Sequence, residues 1–281
     1  MWPVVKPSIS AAEAFTSCTG RVRNLDLRKR LQDIAPIIVA DSQTYDASAT
    51  STDLHLLQQS DNVGGIVTVG EMVSVYDYRM VPETAPGRWV YDAILLSADD
   101  EMCPLCGHRR VKTLDHILAK TRYPSLAVGP YNLIPCCTDC NKSKSNVPPM
   151  AKEDQYIHPY YDRVDGDRWL ECEIVEKGPA GAHFFVIPSG NWDAVTATRV
   201  HGHFERLALA RLYASQAGRE LSNIRLQLSR LLAKTDPDSV RSHLEDAYES
   251  RAAVAVNSWQ TALYRAAAEN EWYWSGGFNV Q

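Results

Sequence analysis

The chain has 281 residues, 45% of them hydrophobic, which is enough to bury one large core or two smaller ones. Its 29 basic and 34 acidic residues give a net charge of -5, and that balance excludes a generic basic coat for nucleic acid. No apolar run reaches the length of a membrane span or a signal peptide, the opening being Met1-Trp2-Pro3-Val4-Val5-Lys6-Pro7, so the expected product is soluble, cytoplasmic and without a membrane partner.

Residues 11–96 read mostly as helix. Arg21 to Val39 sets Val22, Leu25, Leu31 and Ile34 among charged residues, and Val67 to Met80 supplies a second amphipathic piece. Asn62-Val63-Gly64-Gly65 is a turn between them. A cysteine-rich stretch follows. Residues 169–187 then read as strand, because Leu170-Glu171-Cys172-Glu173-Ile174 alternates and Phe184-Phe185-Val186-Ile187 lies beyond a Gly/Pro turn. From Val200 the helical pattern returns, with Phe204, Leu207, Leu212, Leu221, Ile224, Leu228 and Leu231 on one broad face and Arg211, Arg219, Arg225 and Arg230 elsewhere. A break at Thr235-Asp236-Pro237-Asp238-Ser239 precedes a last helix from Ser239 to Ala268. The class expected is α+β and mostly helical. Residues 1–97 form a helical region, 98–165 an embedded zinc module, and 166–281 a short β segment followed by helices.

The module rests on four cysteines in two CxxC pairs, Cys103 with Cys106 and Cys137 with Cys140. In a chain whose other cysteines, Cys18, Cys136 and Cys172, are odd in number and scattered, such pairs point to a tetrahedral zinc site rather than to disulfides. Cys136 competes with Cys137 as a ligand, but the two-residue spacing of Cys137 to Cys140 repeats that of the first pair. A site closed by four thiolates has no open position, so the zinc is expected to be structural.

Any chemistry then falls to the polar residues between and after the pairs. Asp115 and His116 interrupt the apolar segment Thr113-Leu114-Asp115-His116-Ile117-Leu118, and Asn141 follows the last cysteine where a helix can begin. A carboxylate, an amide oxygen and an imidazole brought together suit a hard cation such as Mg²⁺ or Mn²⁺, with His116 placed to take a proton from an attacking water. Between Arg109 and Lys152 eight basic residues face only Asp115 and Asp139, so a phosphate-bearing partner would be drawn to this stretch.

The run Cys103-Pro-Leu-Cys106-Gly107, then Leu114-Asp115-His116, then Asn132-Leu133-Ile134-Pro135-x-Cys137-x-x-Cys140-Asn141-x-x-Lys144 resembles the HNH endonucleases. That resemblance covers residues 103–144. It implies a ββα-metal module, His116 as general base, Asp115 as a ligand of a catalytic Mg²⁺ or Mn²⁺, and Asn132 steadying the loop and the base. Asn141 stands where many members carry the last His, which makes this the HNN variant with an amide oxygen offered to the metal. The implied activity is low-specificity hydrolysis of phosphodiester bonds in DNA, with RNA as second substrate, and Lys120, Lys142 and Lys144 as backbone contacts.

Leu118-Ala-Lys120-x-x-Tyr123-Pro124-Ser-Leu-Ala-Val128 and His158-Pro159-Tyr160-Tyr161-Asp162 are similar to a bacterial HNH subgroup associated with anti-phage defence, in which the nuclease works beside an ATPase. Restraint by such a partner, by a homo-oligomeric state or by a trigger is expected, because unspecific cleavage endangers the host. The contrasting expectation is a silent zinc module that binds nucleic acid or docks a protein. His158, preceding a proline, reads more readily as a turn residue than as a ligand.

Overall fold

The structure, a computed structural model, describes residues 2–144, 146–176 and 178–280. The chain divides into two compact units, Met1–Arg163 and Val164–Gln281. The class is α+β and mostly helical: three two-stranded antiparallel sheets are scattered among helices within the described residues.

The first unit begins with α1 (Ala11–Thr19), α2 (Leu25–Asp33) and α3 (Ala35–Thr50). Ser10 and Glu13 close a reciprocal capping box at the start of α1, and the Asn24 side chain caps α2. The expected helix over Arg21 to Val39 is therefore two helices. Pro36 lies in the first turn of α3, where its missing N–H costs nothing, so the chain restarts there instead of running through. The turn at Asn62–Gly65 is a small hairpin of β1 (Asn62–Val63) and β2 (Val67–Thr68), with Gly64 and Gly65 at φ +62° and +72°. Thr68 and Glu71 box the start of α4 (Val69–Arg79), and α5 (Arg88–Leu95) follows.

The cysteine module comprises β3 (Thr113–His116), β4 (Leu133–Cys136) and the short α6 (Thr138–Ser143), the ββα order that the family resemblance implies. It shares a core with the preceding helices: Leu114, Ala127, Val128 and Leu133 pack in one cluster with Phe15, Leu31, Ile38, Met72 and Ile94. Leu118 and Leu126 join a second cluster with Tyr45 and Leu54 of the helical region. Residues 1–97 and the module thus fold as one unit, and each fully buried leucine contributes roughly 1.5–3 kcal/mol.

In the second unit β5 (Leu170–Val175) pairs antiparallel with β6 (Gly181–Val186), in the register Leu170 to Val186 and Val175 to Gly181. The hairpin packs on α8 (Leu209–Leu232) and α10 (Trp259–Glu269). Between Ala194–Arg206, which is α7, and α8, the backbone turns left-handed at Ala208, φ +50°, and this divides the helical stretch read from Val200 onward. Leu212, Leu221 and Leu228 of α8 are buried while Arg211, Arg219, Arg225 and Arg230 are exposed. The expected last helix is α9 (Pro237–Ala252) and α10, with α11 (Glu271–Trp274) beyond. Asn257, in the break before α10, explains it. Its Oδ1 accepts from the N–H groups of Trp169 and Leu170 at 2.9 and 3.2 Å, and its Nδ2 donates to Asp167 O at 2.7 Å, pinning the start of β5. No helix among the described residues is long and apolar enough to cross a membrane.

Candidate functional site

The two CxxC pairs meet. The Sγ atoms of Cys103, Cys106, Cys137 and Cys140 all lie within 4.8 Å of one another, and all four residues are buried. Four thiolates held at about 2.3 Å from one tetrahedral ion stand about 3.8 Å apart, so the set is sized to hold a metal ion such as zinc. Local backbone builds it. Gly107 at φ +56° turns the first pair back on itself, with its N–H on Cys103 O at 2.8 Å and Cys103 N–H on Arg109 O at 2.8 Å. The Trp2 indole lies against Gly107, where any side chain would collide with it, and the Trp2 backbone N–H donates to Pro104 O at 3.1 Å. At the second pair Cys137 is itself the N-cap of α6, its sulfur accepting from Cys140 N–H at 3.4 Å. Hydrogen bonds shared within the cluster hold the Cys103 and Cys137 thiols below the ordinary range and push Cys106 and Cys140 above it. A metal bound there takes all four as thiolates and releases their protons.

Antiparallel pairing of β3 with β4 sets Asp115 opposite Ile134 and His116 opposite Leu133, at the end of the ribbon. Both are buried, each 8% exposed. His116 Nε2 lies 2.8 Å from Ala127 O. A carbonyl oxygen can only accept, so Nε2 carries the ring proton and Nδ1 keeps its lone pair. Burial lowers the imidazole to about 3, which keeps it neutral across the physiological range and weakens it as a proton acceptor. The Tyr76 ring meets it edge-on, with centroids 4.6 Å apart.

Asn132, 1% exposed, ties the loop that supplies Ala127. Its Oδ1 accepts from Leu118 N–H at 2.8 Å, and its Nδ2 donates to Leu118 O at 2.9 Å and Leu126 O at 3.3 Å. Asn132 therefore bears on His116 indirectly, through the 118–127 segment.

Asp115 Oδ2 is buried and makes no hydrogen bond. Burial pushes its carboxyl above the usual carboxylate range, and the nearby Lys144 ammonium opposes that shift. An oxygen in this state is chemically suited to a hard cation. Asn141 lies inside α6 rather than at its start, because the helix begins at Thr138. Its Nδ2 donates to Leu114 O at 3.4 Å, so its carbonyl end is the part of the amide left to serve as a ligand.

The three lysines have different surroundings. Lys142 is exposed on α6. Lys120 pairs with Asp77 at 2.5 Å and lies over the Tyr76 ring at 4.2 Å. Lys144 is buried, not displayed on the outer face of the helix. Its Nζ donates to His116 O at 2.5 Å and lies 3.5 Å from Asp115 Oδ2. His158 is 2% exposed, and Tyr160 N–H donates to its Nδ1 at 3.3 Å; the proton is then on Nε2, which faces Tyr45 Oη at 3.0 Å. That arrangement is a structural tie. Tyr76 and Asp77 enter the site from an element that carries no motif, the amphipathic pattern of Val67 to Met80 marking Tyr76 only as a residue for the core; Ala127 comes from the 118–128 string, which gives no sign that its carbonyl meets the His116 ring.

No protein-family model matches the chain, and no solved structure does. One likeness spans nearly its whole length. The chain is similar to Protein ea31 of Escherichia phage lambda, 26% identical over 290 residues, covering 96% of this chain and 98% of that protein. Both units fall within the likeness.

Proposed function

We propose that the protein is a metal-dependent endonuclease of the HNH kind that hydrolyses phosphodiester bonds in DNA, with a structural zinc at the four cysteines. One pair of observations carries this reading: Ala127 O fixes the His116 tautomer so that Nδ1 keeps its lone pair, and the preceding residue of the same strand is a buried carboxylate with an oxygen that makes no hydrogen bond. Asp115 and the Asn141 amide oxygen would hold the Mg²⁺ or Mn²⁺. When bound, that cation supplies charge stabilisation to the phosphoryl oxygens and to the leaving oxygen. His116 Nδ1 takes the proton from the attacking water, and the resulting imidazolium keeps its Nε2–H on Ala127 O. Asn132 keeps that carbonyl in place throughout. Lys142, exposed on α6, would meet the phosphate backbone; such contacts position the strand without reading bases, in line with low sequence specificity.

The relative found is a phage protein with an uninformative name. It lends no support to a role in anti-phage defence beside an ATPase.

The burial of His116 favours a second reading, a silent zinc module that binds nucleic acid or a protein. Supercoiled plasmid incubated with the protein and Mg²⁺ or Mn²⁺, against EDTA and against Asp115→Asn, separates the two. Nicking that needs both the cation and Asp115 supports the nuclease. Binding of plasmid with no cleavage under any cation, DNA and RNA alike, supports the silent module.

A further inference from the structure

Lys144 is the residue whose placement the nuclease reading leaves unexplained. Lysine buries its ammonium only at considerable cost, and here the side chain is 4% exposed. One short hydrogen bond to His116 O, at 2.5 Å, holds the Nζ in place. The other charged group at hand is Asp115 Oδ2, 3.5 Å away: an ion pair, but not a hydrogen bond, so that oxygen keeps its accepting capacity. The ammonium thus faces the carboxylate that a divalent cation would need, and it does so from the same chain segment that delivers Asn141. Lys144 is also the C-terminal cap residue of α6, its own N–H on Cys140 O at 3.0 Å, so the zinc-bearing helix fixes where the lysine stem starts.

We infer that Lys144 is a tethered counter-cation of Asp115, which competes with the divalent cation for that carboxylate and keeps the affinity of the site for Mg²⁺ or Mn²⁺ low. The inference rests on reading Asp115 as a cation ligand, and adds that occupancy of the site is set against a positive charge built into the chain. A doubly charged ion entering beside a fixed ammonium is repelled by it, and the repulsion is strong in a site with little water. Removing the charge while keeping the fold therefore tightens metal binding. A lysine that merely neutralises Asp115 for stability would do the reverse: without it the buried carboxyl takes up a proton and the metal binds less well.

The test is Mn²⁺ binding, followed by calorimetry and by the electron paramagnetic resonance of the free ion at pH 8, on zinc-loaded protein. The set is wild type, Lys144→Gln, Lys144→Met, Lys144→Arg and Asp115→Asn, with zinc content and melting confirming the fold of each. Lys144→Gln retains a donor for His116 O and Lys144→Met retains length, so either suffices if the other fails to fold. The expected result is Mn²⁺ binding at least tenfold tighter in Lys144→Gln or Lys144→Met, unchanged in Lys144→Arg, and lost in Asp115→Asn. Equal or weaker binding in the uncharged variants, with wild type still dependent on Asp115, overturns the role of Lys144 and leaves Asp115 as a ligand. No Mn²⁺ binding that depends on Asp115 in any variant overturns both.

Discussion

Asn132 grips Leu118 by both ends of its amide, accepting from the Leu118 N–H at 2.8 Å and donating to the Leu118 carbonyl at 2.9 Å. A side chain here imitates one rung of a β-ladder, and so holds the loop whose Ala127 carbonyl anchors His116. In Asn132→Leu two buried backbone groups lose their partners, each costing about 1–3 kcal/mol. We expect the first unit to lose about 2–6 kcal/mol of stability in urea unfolding. Cleavage should fall further than the loss of folded protein explains, since the base loses its support. Wild-type stability in Asn132→Leu would contradict the clamp.

The four-cysteine site makes a stoichiometric claim. Purified protein should contain one zinc per chain, and Cys103→Ser or Cys140→Ala should lose it together with the cooperative melting of the first unit, because structural zinc contributes folding free energy directly. Cys136→Ser is the discriminating variant. Its neighbour Cys137 completes the cluster and Cys136 directs its Sγ to Cys137 O at 3.3 Å, so zinc content should be unchanged. Metal analysis showing zinc lost in Cys136→Ser would move the ligand to that residue.

Arg30 joins α2 to the start of α4 through Glu71, with Nη2 on Oε1 at 2.7 Å, and this hydrogen bond is the first cause holding the Glu71 carboxyl down to about 2. A carboxyl depressed in the folded state stabilises it above the ordinary value near 4.5 and loses that contribution as pH falls through that value towards 2. The pair is partly open to water, so the gain is about 1 kcal/mol. Glu71→Gln should therefore be less stable than wild type at pH 7, with the two converging as the pH approaches 2. A gap that stays constant down to that pH would assign the effect to the Thr68 capping box instead.

The parts of this site that were legible in the sequence are those whose geometry is local. Two-residue spacings fix a knuckle turn around a metal, and Asp115 beside His116 in an apolar segment marks a strand end with polar work to do. The class and the β5–β6 hairpin follow equally from alternation and helical periodicity. What was not legible depends on contacts between distant segments. Nothing in the neighbourhood of Tyr76 indicates that it meets His116, and nothing in Asn141-Lys142-Ser143-Lys144 distinguishes the exposed Lys142 from the buried Lys144. Helix ends show the same limit. Pro36 could have signalled a restart, whereas the left-handed turn at Ala208 is imposed by packing on a residue that does not favour it.

The central claim is that His116 is a base acting on water at phosphorus. Its most direct measurement compares wild type with His116→Ala, both carrying full zinc, for cleavage of supercoiled plasmid in Mg²⁺ or Mn²⁺. Removal of a general base lowers the rate by about a hundredfold or more. We expect metal-dependent nicking by wild type and its loss on that scale in His116→Ala, with melting and zinc content unchanged. Equal cleavage by the two proteins, or no cleavage of DNA or RNA by wild type while Mn²⁺ is bound at Asp115, would contradict the account.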